Sequence, residues 1–143
     1  MEERALTDIH DIAPAETWAA LLNEPAARLV DVRTDAEWAY VGVPDITSTG
    51  QRIVLVAWQA FPTMAVNPNF VHGLREAGVT PDHQVYIICR SGVRSVAAAQ
   101  AAHAEGYAHV FNVADGFEGP ADAAGHRGQV SGWKASGLPW MQR

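Results

Sequence analysis

The chain contains one cysteine, and the residues around it are the sequence's densest concentration of chemistry. Cys89 closes an apolar run, Val85-Tyr86-Ile87-Ile88, and Arg90-Ser91-Gly92-Val93-Arg94-Ser95 follows before an alanine-rich stretch. Read as strand, loop and helix, this order places a thiol in a tight loop at a helix N-terminus. Successive backbone N–H groups in such a loop converge on one anion. The helix dipole adds partial positive charge at the same point, and a flanking guanidinium adds a whole one. All three effects favour thiolate over thiol, and the thiolate is the nucleophile. Gly92 supplies the backbone freedom the loop needs. A buried cysteine often serves only as a small hydrophobe. Here two arginines within five residues and a helix directly behind them weigh for reactivity instead.

The elements that must position this loop alternate in type. Pro14–Asn23 reads as a first helix, with Pro14 near its start and Trp18, Leu21 and Leu22 on one face. Leu29–Val32 reads as a short strand, and Thr34 with Glu37 three residues on resembles a capping box opening a brief helix. Ile53–Trp58 is a continuous apolar run of the kind buried on both faces. Asn67-Pro68 signals a helix running to about Ala77 and stopped by Gly78. Val85–Cys89 is the strongest central strand; Ser95–Glu105 is its helix, closed by Gly106, and Val110–Val113 is a further strand. Strands alternating with helices at this spacing imply a mostly parallel sheet covered on both faces. In such sheets ligands bind at the carboxyl ends of the strands, where Cys89 lies. After Asp115, five glycines between Gly116 and Gly132 mark a long loop, of a kind that often serves as a functional lid.

Two segments together resemble the rhodanese-like sulfurtransferase family. Cys89-Arg90-Ser91-Gly92-Val93-Arg94-Ser95 is similar to that family's active-site loop, Cys-x-x-Gly-x-Arg followed by Ser or Ala. Leu29-Val30-Asp31-Val32-Arg33 resembles its Asp-Val-Arg signature at the end of an early strand, with Glu37-Trp38 where an acid and an aromatic are usual. The resemblance runs from about Thr7 to Leu138-Pro139 and implies a doubly wound α/β fold with a mostly parallel sheet, spanning residues 1–143 as one domain with a core of about 7–139. It further implies that Cys89 accepts a sulfane sulfur and becomes a persulfide, cradled by the backbone N–H groups of residues 90 to 95, with no metal and no organic cofactor. A persulfide carries negative charge, which such a cradle stabilises as an oxyanion hole does. Arg90 and Arg94 are then the expected contacts for an anionic donor such as thiosulfate, and Ser95 the expected helix cap, its hydroxyl staying near the loop. Arg94 stands five positions after Cys89, giving Cys-x4-Arg. The related phosphatases and arsenate reductases use Cys-x5-Arg, and here Ser95 holds that sixth position.

The chain also departs from the family. The usual Gly-His-Ile-Pro-Gly-Ala stands here as Val41-Gly42-Val43-Pro44-Asp45-Ile46, without the histidine. Gly116-Phe117-Glu118-Gly119 and Gly132-Trp133 are separated by an insertion containing His126 and Arg127, expected near the mouth of the site. Asp31 and Arg33 are expected to brace loops by hydrogen bonding, with electrostatic tuning of the cysteine as the alternative. Of the five tryptophans, Trp58 is the one expected to line a pocket. The histidines have no ligand spacing, so no metal site is indicated.

Composition sets the outer bounds. At 143 residues the chain fits one domain of roughly 150 and buries about two-thirds of its unfolded surface without needing a disulfide or metal. One cysteine excludes an internal disulfide, a zinc ribbon or an iron–sulfur cluster held by this chain alone. A net charge of −6 argues against nucleic acid as a partner. Residues 1–45 carry −7 and residues 46–143 carry +1, so the cysteine lies in the less acidic part. Acids at Glu2 and Glu3 stand where a signal peptide would carry lysines, and no apolar run approaches the ~18 residues of a membrane span. A free thiol suits a reducing compartment, so a cytoplasmic location is expected. The leading reading is a sulfurtransferase with a small anionic donor and a thiophilic acceptor, cyanide or a thiol. The alternatives are a sulfur carrier or sensor loaded by a protein partner, and an oxyanion-handling phosphatase or arsenate reductase.

Overall fold

The computed structural model describes residues 9–142; the acids at Glu2 and Glu3 and the expected start of the core at Thr7 lie outside them. Five parallel strands form the central sheet in the order β1-β8-β7-β2-β4. They are β1 (His10–Ile12), β2 (Ala27–Asp31), β4 (Val54–Leu55), β7 (Gln84–Ile88) and β8 (Val110–Val113). The helices are α1 (Pro14–Asn23), α2 (Asp35–Tyr40), α3 (Phe70–Glu76) and α4 (Arg94–Ala104). Two small antiparallel pairs complete the strands among the described residues: β3 (Val43–Pro44) with β9 (Trp140–Met141), and β5 (Gln59–Ala60) with β6 (Ala65–Val66). The doubly wound α/β expectation holds.

The middle strand shows why both faces must be covered. Val85 and Ile87 join Phe70, Leu74, Ala98 and Ala102 on the α3–α4 face. Tyr86 and Ile88 point the other way and join Leu21, Phe117 and Trp133. That alternation, with every one of these residues buried, is the period-2 geometry of a strand sandwiched between two layers. α4 lies against β8 and β7 through its alanines, whose small side chains let backbone approach backbone.

Several expectations need correction. Ile53–Trp58 is not a strand buried on both faces: only Val54–Leu55 is strand, half-buried, at the sheet edge where β2 is its sole partner. Trp58, expected to line a pocket, is half-buried, and its ring packs edge-on against Phe70 at 5.3 Å and onto the core. The helix expected from Asn67 starts at Phe70, because Asn67 uses its carboxamide to bond the Asn69 N–H and the Ala57 carbonyl. Among the described residues, no helix is long and apolar enough to cross a membrane.

Candidate active site

Cys89 is the first residue beyond β7, 1% exposed, and its Sγ lies beneath the loop 90–93 that leads into α4. The Gly92 N–H donates to Sγ at 3.1 Å, with Gly92 at φ +97, a conformation glycine adopts without strain. Ser95 Oγ lies 3.2 Å from Sγ. The expectation that Ser95 caps the helix is corrected. Val93 occupies the cap position without a side-chain hydrogen bond, and Ser95, fully buried in the first turn, donates its hydroxyl to Asn112 Oδ1 instead. Asn112 lies on β8 and was not anticipated; its one signal was an amide in an otherwise apolar strand, Val110-Phe111-Asn112-Val113.

The two arginines have different fates. Arg94 makes a two-point ion pair with Glu37 of α2, at 2.7 and 2.9 Å. Burial by itself would raise the Glu37 carboxyl. The hydrogen bonds from Arg94 and the Thr34 backbone N–H, with the Arg94 and Arg33 charges, hold it below its ordinary value. The Glu37 hydrogen bond in turn raises Arg94 above its usual range. Arg90 is exposed, and among the described residues its guanidinium has no ion-pair partner. Both arginines line a cleft of about 510 Å³ with Glu37, Phe61, Met64 and Glu118. Phe61 and Met64 belong to the turn between β5 and β6 and are 60% and 37% exposed. Ser91 and Val93 complete the loop, Val93 facing outward and Ser91 half-buried.

Asp31 and Arg33 act as braces. Arg33 is fully buried, bonds both Asp31 oxygens, donates to the Gly42 carbonyl at 2.6 Å, and stacks over the Phe117 ring at 4.3 Å. The pair fixes the end of β2 to the turn before β3 and makes no contact with the sulfur.

The glycine-rich segment is a support for the loop, not a lid. The Phe117 N–H donates to the Cys89 carbonyl at 2.7 Å, and the Glu118 and Gly119 N–H groups donate to the Arg90 carbonyl at 2.9 and 3.0 Å. Gly116 has φ +65, and a Cβ there would fall within 2.6 Å of the Arg90 carbonyl carbon. Trp133, fully buried, locks the segment from behind: its backbone N–H donates to the Gly116 carbonyl at 2.8 Å. The insertion folds on itself: Asp122 bonds the Ala124 and His126 N–H groups, and Arg127 donates to the Gly119 carbonyl at 2.6 Å. Neither His126 nor Arg127 lines the cleft above the cysteine.

Comparison with known proteins places this arrangement. The family model described as the STR4 middle domain matches residues 11–143. The chain belongs to that family and is a rhodanese-like domain. The crystal structure of Rv0390 from M. tuberculosis superposes with a TM-score of 0.85 at 46% identity, covering 94% of this chain and 98% of that one. The uncharacterized protein RC0915 of Rickettsia conorii is 32% identical over 134 residues, 93% of this chain and 98% of its own length. The chloroplastic protein THYLAKOID RHODANESE-LIKE of Oryza sativa subsp. indica is 27% identical over 130 residues, 90% of this chain but 24% of that protein. This rhodanese-like domain therefore corresponds to nearly the whole of some relatives and to one segment of a longer one.

Proposed function

We propose that this rhodanese-like domain is a sulfurtransferase working through a Cys89 persulfide. The observation that carries the reading is the seat of Sγ: at the end of the central strand, under a Cys-x4-Arg loop, with the Gly92 N–H directed at it. In the first step the Cys89 thiolate attacks the sulfane sulfur of a donor such as thiosulfate. The Sγ–S bond forms, the donor's S–S bond breaks, and its electron pair leaves with sulfite. In the second step a thiophilic acceptor, cyanide or a thiol, attacks the outer sulfur, and the bond pair returns to Sγ. The loop N–H groups and the α4 dipole stabilise the anionic sulfur in both steps. Arg90, the cation in the cleft with no ion-pair partner, contacts the anionic donor. A reducing compartment, such as the cytoplasm, suits a thiol used this way.

The test is thiocyanate formation from thiosulfate and cyanide, with Cys89→Ala beside the wild type. Activity lost in the variant is expected; equal activity in both overturns the reading. One observation favours a second reading: Arg94 is committed to Glu37, which leaves little free positive charge for a dianionic donor. A well-folded wild type that turns over no thiosulfate, yet accepts persulfide sulfur from a protein donor, would identify a sulfur carrier.

A further inference from the structure

Asn112 has no part in the sulfur chemistry just described, yet it is hydrogen-bonded into it. It is 3% exposed, and its amide nitrogen donates to Asp11 Oδ1 at 2.8 Å and to the Gly92 carbonyl at 3.4 Å. An ionised carboxylate and a backbone carbonyl are acceptors only, so the amide cannot be turned over, and Oδ1 must face Ser95. That oxygen in turn only accepts, so the single hydroxyl hydrogen of Ser95 goes to Asn112. Toward Sγ, Ser95 presents a lone pair. A lone pair there receives an S–H hydrogen and opposes a thiolate. The Gly92 N–H is the fixed donor to the sulfur; the Ser95 hydroxyl is the one that turns.

We propose that Asn112 is a positioning residue for Cys89: it holds the Ser95 hydroxyl away from the sulfur in the thiol state and yields it to Sγ when the sulfur becomes anionic. The inference rests on the reading of Cys89 as the nucleophile. In a turnover the hydroxyl turns to Sγ as the thiol ionises, returns to Asn112 when charge moves to the outer sulfur of the persulfide, and turns again as Sγ leaves. All three side chains, Cys89, Ser95 and Asn112, are buried. The charged groups around the sulfur are Arg94 on α4, paired with Glu37 on α2; Asp31 at the end of β2, paired with Arg33; Asp11 on β1; and Arg90 and Asp115 on the flanking loops.

Cys89 is the chain's one cysteine, so thiolate ultraviolet absorbance across a pH titration, taken as a difference against Cys89→Ala, reports this sulfur alone. Asn112→Leu fills the same space without accepting a hydrogen bond and frees the Ser95 hydroxyl for Sγ. The titration midpoint is expected to fall by about one unit, a tenfold gain in thiolate at a given acidic pH. With Ser95→Ala already in place, the same substitution is expected to move nothing. No shift in the first background, or an equal shift in both, overturns the proposal. If Asn112→Leu does not fold, Asp11→Ala on the exposed edge strand lets the amide turn over, and a smaller downward shift that vanishes with Ser95→Ala is expected. A shift that persists with Ser95→Ala reports only the lost Asp11 charge and also overturns it. The titration requires no turnover, so a failure of the sulfur-transfer reading, seen as equal thiocyanate from wild type and Cys89→Ala, remains distinct from a failure of this one.

Discussion

Arg94 and Glu37 lie 57 residues apart in the chain and meet through two hydrogen bonds of 2.7 and 2.9 Å. Glu37 is at the same time the third residue of the α2 capping box, accepting from the Thr34 N–H at 3.1 Å while Thr34 Oγ1 accepts from the Glu37 N–H. A single carboxylate thus joins the start of α4 to the start of α2, and the loop arginine that motif reading assigns to the substrate serves first as a tie between elements. The division of labour between the two loop arginines follows from this.

Removing the unpaired cation is expected to act on donor binding. Arg90→Ala raises the KM for thiosulfate about tenfold, some 1.4 kcal/mol, with kcat little changed. Arg94→Ala shows first as a lowered unfolding midpoint. Steady-state kinetics beside urea melts of the two variants decide it, and a larger KM effect from Arg94 than from Arg90 would reverse the assignment.

The Glu37 tie is pH-dependent with a definite sign. Its folded carboxyl lies below the ordinary value, so its contribution to stability is present above the unfolded value and disappears as pH falls through the folded one. Glu37→Gln is expected to cost about 1 kcal/mol near neutrality. The gap to wild type should narrow between neutrality and strongly acid pH, as the wild-type carboxyl takes up its proton and loses the charge too. Urea unfolding at the two pH values measures it; a gap that stays constant would mean the amide's altered hydrogen bonding, not charge, is responsible.

Gly116 admits no side chain. Its φ of +65 and the backbone of Cys89 and Arg90 against its Cα leave no room for a Cβ, and neither neighbour is a flexible side chain that yields. Gly116→Ala is expected to lose more than about 2 kcal/mol of stability and most of the transfer activity, because the loop above must shift. Thermal unfolding with thiocyanate assays checks both losses.

Asp31→Ala leaves the Arg33 guanidinium buried without its counter-charge, a situation that costs about 3–5 kcal/mol. The replacement is expected to unfold or nearly unfold the domain at ambient temperature. Near-wild-type melting would show that Gly42 and Phe117 suffice to hold the arginine.

Legibility in the sequence tracked the range of the interactions. The Cys89 loop, the α1 boundaries, the Thr34–Glu37 capping box and Val110–Val113 are each written in a few consecutive residues, and the structure has them where local reasoning puts them. β1, β3, β5, β6 and β9 are only two or three residues long and carry no periodicity to read. At Ile53–Trp58 continuous apolarity does not mean burial on two faces: Val54–Leu55 is an edge strand, and Val56 and Trp58 beyond it pack onto the core. At the site, what local motifs could not disclose were partners from elsewhere in the chain: Glu37 for Arg94, Asn112 for Ser95, and the main chain of 116–119 under the cysteine loop. Nothing in the sequence alone says what Asn112, an amide in an apolar strand, or Gly116, a glycine after it, will touch.

The carbonyls of Cys89 and Arg90 are held by main-chain N–H groups, and this separates what selection can adjust from what it cannot. Beneath the sulfur the support is made of peptide units, identical for every residue type that fits, so it offers no graded settings: it is intact or it is lost. The rim is made of side chains, with Arg90, Phe61 and Met64 each replaceable without touching that foundation. A change of residue at the opening therefore leaves the anvil beneath the sulfur as it is.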